Sequence, residues 1–127
     1  MTNINEIAKQ MVADGKGILA ADESSGTIKK RFDGINVVSS EENRMNYRRI
    51  LLESKEAMED YISGVILFDE TIRQSNSAGE KLVDIIKKSG TLPGIKVDMG
   101  AKSLAKMQDE TVTEGLDGLR ERLQEYS

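Results

Sequence analysis

Gly15-Lys16-Gly17-Ile18-Leu19-Ala20-Ala21-Asp22-Glu23-Ser24-Ser25-Gly26-Thr27 is the stretch on which the fold turns. The glycines break whatever helix precedes them. Ile18 to Ala21 then run apolar without the polar alternation of a half-solvated strand, which is how a parallel strand buried on both faces reads. Two carboxylates and three hydroxyls follow at once, and in parallel α/β folds functional groups collect at this carboxyl end of a strand.

The same unit recurs on both sides of later helical signals. Before it, Ile4, Ile7, Ala8, Met11 and Val12 form an i, i+3, i+4, i+7, i+8 stripe, and Asn3 with Glu6 has capping-box spacing, so the chain opens with an amphipathic helix. After it, Ser39 and Glu42 repeat that spacing ahead of a helix carrying Met45, Ile50, Leu51 and Leu52, its Arg and Glu residues left for solvent. Gly64-Val65-Ile66-Leu67-Phe68 reads as a second buried strand. Ser77 and Glu80 announce a helix through Leu82, Val83, Ile85 and Ile86 to about Lys88, with Gly90 placed to take the left-handed C-terminal position. A third strand follows from about Gly94 to Asp98. Thr111 and Glu114 mark a last start, with Leu116, Leu119, Leu123 and Tyr126 along one helix face.

Three strand-then-helix units behind an N-terminal helix predict an α/β fold. A complete eight-unit barrel takes about 250 residues, so 127 residues fit the first three βα units of a partial (β/α)8 TIM barrel, and a small open sheet is the alternative. All of 1–127 is expected to belong to one barrel-type domain.

Composition narrows the chemistry. With no cysteine and no histidine, thiol nucleophiles, disulfides, Cys/His zinc sites and Ser-His-Asp relays are excluded within this sequence. A net charge of −4, two Phe, three Tyr and no Trp offer neither a basic field nor stacking platforms, so no nucleic acid and no membrane partner is expected. The longest strongly apolar run, Val65 to Phe68, is far below a membrane span, and the first residues lack a basic region followed by an apolar one, so a cytoplasmic location is expected.

Three strand ends hold candidate groups. Asp22, Ser24 and Thr27 follow the first strand, where a substrate site and simple helix capping by Asp22 or Ser24 are both open readings, and hydroxyls with glycine at a helix start also suit a phosphate. Lys96 lies between Ile95 and Val97 with Asp98 on the same face, a charged pair where core is expected; it reads either as an interior ammonium for phosphate or carbonyl, or as a solvated edge strand. Asp69-Glu70-Thr71 after the second strand reads as helix capping. Lys29-Lys30-Arg31 reads as a solvated face from which Arg31 can turn inward.

These residues resemble the class I, Schiff-base-forming fructose-bisphosphate aldolases. The resemblance rests on five blocks in order: Gly15 to Ser24; Glu41-Glu42-Asn43-Arg44 with Tyr47-Arg48; Gly64 to Thr71; Gly94-Ile95-Lys96-Val97-Asp98; and Glu114-Gly115-Leu116-Asp117-Gly118-Leu119. It implies a (β/α)8 barrel that reversibly cleaves fructose 1,6-bisphosphate to dihydroxyacetone phosphate and glyceraldehyde 3-phosphate, in glycolysis and gluconeogenesis, with no metal and no cofactor. It implies further that Asp22 lies beside the Schiff-base lysine and handles protons, that Lys96 contacts substrate near its phosphate end, that Ser24 and Thr27 help hold a substrate phosphate, and that Arg31 is a basic neighbour of that pocket.

In the family, the imine-forming lysine and the glycine-rich phosphate loop come from later strands, so this chain alone is expected to be inactive and to need the C-terminal remainder of the barrel as partner. Asp22 and Lys96 are expected to face one interior from next-but-one strands. Open strand edges and apolar faces predict self-association, giving a homo-oligomer or an aggregation-prone or partly molten chain. A noncatalytic phosphate-binding or assembly module reusing the barrel segment is the competing function.

Overall fold

The computed structural model describes residues 3–127 as two compact units, the first running to Ile95 and the second Lys96–Ser127. Asn3 caps helix α1 (Ile4–Met11) as expected, its side chain accepting from Asn5 N at 3.0 Å. The predicted apolar stripe is largely exposed, with Ile4 at 78% and Val12, just past the end of α1, at 74%. In the first unit the remaining order is β1 (Gly17–Ala21), α2 (Ser25–Asp33), α3 (Glu41–Leu52), α4 (Lys55–Tyr61), β2 (Ile62–Leu67), α5 (Asp69–Arg73), α6 (Leu82–Lys88) and β3 (Leu92–Ile95).

The three strands form one parallel sheet in the order β1-β2-β3, with Ala21 opposite Leu67 and Leu67 opposite Ile95. Register decides which face is covered. Ala21, Val65 and Leu67 pack with Leu52, Met58, Leu82 and Ile86 of α3, α4 and α6, and Leu19 and Ile95 join them, so every second residue points at the helices. The intervening residues take the other face, where Ile18 is 47% exposed and Ala20 is also exposed. The expectation that β1 is buried on both faces therefore fails: one face lies under helices and the other has no helical cover comparable to it. At the near end of that face Gly64 admits the Met11 side chain, since a Cβ at residue 64 would fall 2.5 Å from its Sδ.

Several predicted boundaries move, each for a local reason. The cap of α3 is Ser40, accepting from Asn43 N at 3.1 Å, not Ser39, whose carbonyl takes Arg44 Nη1 instead. Residue 50 lies about 200° round the helix from residue 48. Ile50 is accordingly 66% exposed, while Arg48, expected in solvent, is fully buried. Ser77 and Glu80 do not open a helix. Asn76 Oδ1 accepts from both Ala78 N and Glu80 N at 3.0 Å, closing a turn, and the helix begins at Leu82. Gly90 does adopt the left-handed conformation, at φ 76°.

Strand β3 spans Leu92–Ile95, not Gly94–Asp98, because its ladder to β2 ends where Leu67 meets Ile95. In the second unit β4 (Ala101–Ser103) pairs antiparallel with β5 (Thr111–Thr113), and α7 (Leu119–Tyr126) follows. The helix start expected at Thr111 is thus a strand, as its β-branched Thr-Val-Thr run favours. Gly118, left-handed at φ 63°, sets the true start of α7, which leaves Leu116 87% exposed outside it. Among the described residues no helix is long and apolar enough to cross a membrane.

Candidate functional site

Strand β1 delivers Asp22 at its carboxyl end, one residue beyond buried Ala21. Continuing the alternation places Asp22 on the side of Ile18 and Ala20, away from the helices. Ser24 then turns the chain into α2. Its backbone is extended at φ −61°, ψ 159°, its Oγ accepts from Thr27 N at 3.3 Å, and it lies 3.1 Å from Thr27 Oγ1. The capping reading of Ser24 is therefore realised, and it joins both candidate hydroxyls at the N-terminus of a nine-residue helix with no acidic residue in its first turn. The partial positive charge of that helix end meets no acidic side chain within its own first turn, which favours an anion beside the hydroxyls.

Arg31, four residues on from Thr27 and so on its side of α2, bonds Glu23 and donates to Tyr47 Oη at 3.0 Å. The Tyr47 hydroxyl first, then the Glu23 carboxylate, raises its pKa further above neutrality. Arg31 is thus tied to Glu23, and an anion drawing on it competes with that carboxylate. A groove of about 740 Å³ runs along α2 past Lys29, Asp33, Val38 and Arg44. None of the candidate residues lines it, and it approaches them only through their neighbours Ser25 and Gly26.

A buried cation supports this turn, and the sequence reading missed it. Arg48 of α3 donates from Nη2 to the Glu23 carbonyl, places Nη1 3.5 Å from Glu70 Oε1, and holds its guanidinium carbon over the Phe68 ring, 5.6 Å from the centroid. Burial pushes its pKa down, although a guanidinium stays protonated at neutral pH. Glu70, expected as a helix cap, instead takes Arg44 in a two-pronged bond, Nε to Oε1 at 2.9 Å and Nη2 to Oε2 at 2.6 Å. The carboxyl ends of β1 and β2 are so joined through α3. The available signal was the i, i+4, i+8 spacing of Arg44, Arg48 and Leu52, which puts both arginines on the core-facing stripe.

In the second unit Lys96 is partly buried, at 28% exposure, and ion-pairs with Asp98, although residues 96–98 are not a strand and the strand alternation expected to put them on one face does not apply. The Lys96 ammonium first, and the Gly100 N–H second, hold the Asp98 carboxyl below its ordinary range. Such a carboxylate stabilises the fold above the ordinary carboxyl pKa and loses that contribution as pH falls through its own lower value. A carbon-13 titration is expected to show Asp98 titrating below free aspartate, and Lys96→Met to return its midpoint upward. The Lys96–Asp98 segment is fastened to the 114–115 loop. Arg122 donates to Val97 O at 3.0 Å and Gly115 O at 2.7 Å, and Met99 N donates to Glu114 O at 2.8 Å. Gly115, at φ 149°, packs so closely that a Cβ there would sit 2.9 Å from Asp98 Cα.

Comparison with known proteins places these features in a family. The model for class-I fructose-bisphosphate aldolase matches residues 3–127. A probable class 1 fructose-bisphosphate aldolase of Xylella fastidiosa strain Temecula1 is 57% identical over 121 residues, covering 95% of this chain and 36% of its own length. Fructose-bisphosphate aldolase 1 of Toxoplasma gondii is 53% identical, covering 95% of this chain and 33% of that protein. The crystal structure of the Plasmodium falciparum fructose-bisphosphate aldolase in complex with TRAP and a small-molecule inhibitor superposes with a TM-score of 0.90 at 47% identity, over 95% of this chain and 35% of that one. The chain spans about a third of the length of the relatives it matches.

Proposed function

The chain belongs to the class-I fructose-bisphosphate aldolase family, and we propose that it supplies the first three βα units of a (β/α)8 barrel that reversibly cleaves fructose 1,6-bisphosphate. The observation that carries this reading is the family match over 3–127 together with Asp22 and the Ser24–Thr27 cap standing at the carboxyl end of a parallel strand. In this reading residues 1–127 are one part of a single barrel domain, and the remaining strands cover the open face and edges of the sheet.

The roles follow from side-chain chemistry. Asp22 exchanges protons with the reacting carbons and hydroxyls. Ser24, Thr27 and the N–H groups of the first turn of α2 hold a substrate phosphate, while Lys96 contributes a compact positive charge to phosphate recognition. Arg31 adds charge beside them once released from Glu23. The partners are the sugar bisphosphate, the C-terminal remainder of the barrel, and further copies of the protein in a homo-oligomer.

Lys96 is not assigned to imine formation, because it is ion-paired to Asp98 and an ammonium so held is a poor amine nucleophile. Incubation of the chain with fructose 1,6-bisphosphate and borohydride is expected to leave every lysine unmodified and to give no cleavage. Substrate-dependent reductive labelling of Lys96, with turnover, would contradict this division of roles.

A further inference from the structure

We infer that Arg48 is a positioning residue for the candidate site: it fixes the Asp22-Glu23-Ser24 turn by donating to the Glu23 carbonyl from a guanidinium enclosed in the core. Its side chain is fully buried. Its guanidinium carbon lies over the Phe68 ring, 5.6 Å from the centroid, and the Glu70 carboxylate, itself gripped by Arg44, lies 3.5 Å from Nη1. With no hydrogen-bond partner for Nε or Nη1, the Nη2 bond to the Glu23 carbonyl is the one hydrogen bond this buried guanidinium makes among the described residues, while the ring and the carboxylate confine it.

That bond matters because of where the Glu23 carbonyl sits in the chain. Ala21 is locked in the sheet opposite Leu67, and Ser24 is locked as the α2 cap. The peptide group between Glu23 and Ser24 joins these two anchors, and its rotation would swing the Asp22 carboxylate and the Ser24 hydroxyl together. Arg48 holds that peptide from the core side, and Arg31 with Tyr47 holds the Glu23 side chain from the other. The buried cation thus couples the carboxyl end of β1 to that of β2 through one bond to the backbone. That the turn serves a sugar phosphate rests on the proposed function; that Arg48 holds it rests on these contacts alone.

Peptide-resolved hydrogen exchange on the 127-residue chain tests this in any state of association. Arg48→Lys keeps charge and stem but loses the fork, and the amides of Thr27 and Ile28, which bond Ser24 Oγ and Ser24 O, are expected to exchange about tenfold faster relative to those of β2. Leu52→Ala, a core deletion on the same helix, is expected to speed both segments by one common factor. Ethylguanidinium added to Arg48→Ala is expected to restore protection of 24–28 selectively; if that variant does not fold, Arg48→Lys decides alone. Loss of protection at 24–28 only in step with β2, or a wild-type turn exchanging like an unstructured peptide, overturns the inference. Neither readout uses catalysis, so failure of the proposed function appears separately, as an inactive completed barrel whose turn still depends on Arg48.

Discussion

In a barrel completed with the later strands, Asp22→Ala is expected to lower kcat for fructose 1,6-bisphosphate cleavage by about a hundred- to ten-thousand-fold while changing KM far less. A carboxylate that moves protons contributes mainly in the transition state, and removal of such a group typically costs this much. The structure supplies the geometric grounds. Asp22 emerges one residue past the sheet, beside the helix start that offers Ser24 and Thr27, and next to a turn fixed from the core by Arg48. Ser24→Ala is expected to act differently, raising KM, since its hydroxyl serves binding. Steady-state kinetics on both variants separate the roles, and equal losses in kcat and in affinity for Asp22→Ala would make it a structural residue.

The second large effect is on stability. Leu67→Ala is expected to destabilise the first unit by about 2–5 kcal/mol, the usual range for a fully buried leucine. Leu67 is 0% exposed on the central strand, between Ala21 and Ile95 in register and beneath α3, α4 and α6. A whole domain commonly has only 5–15 kcal/mol in total, so loss of cooperative folding is the expected outcome in this chain. Ile18→Ala is the informative contrast. With Ile18 47% exposed on the other face, its truncation should cost little in the chain alone and more in the completed barrel, where the remaining strands bury it. Denaturant titration of both variants in both states reads this directly, and an equal cost in the two states would argue that nothing covers that face.

How much of this was legible in the sequence depends on the range of the interactions involved. Strands β1 and β2 were readable because uninterrupted apolar runs ended at charged residues, and the Asn3 cap and the Gly90 stop were readable because they depend on one or two neighbours. The second burial partner of β1 was not, since an apolar run says that a face can be buried and not whether the covering residues lie in the same chain. The hairpin of β4 and β5 was mistaken for a helix start because Thr111 with Glu114 matches a capping pattern, while the pairing of Ala101 with Thr113 that overrides it is invisible to a local reading. Arg44 and Arg48 were assigned to solvent by charge. Arg48 is fully and Arg44 partly buried, and both follow from Glu70, distant in sequence, whose carboxylate makes the two cations acceptable there. The candidate residues themselves were found from strand ends and from family resemblance, but that Glu23 occupies Arg31 needed coordinates.

The most direct measurement is cleavage of fructose 1,6-bisphosphate by this chain combined with a separately expressed polypeptide carrying the later strands of the Xylella fastidiosa relative, which is 57% identical over the shared region. Neither part alone is expected to turn over substrate. The mixture is expected to do so, and to lose that activity when this chain carries Asp22→Ala. A mixture that assembles into a folded complex yet stays inactive, or activity in the 127-residue chain by itself, would contradict the account.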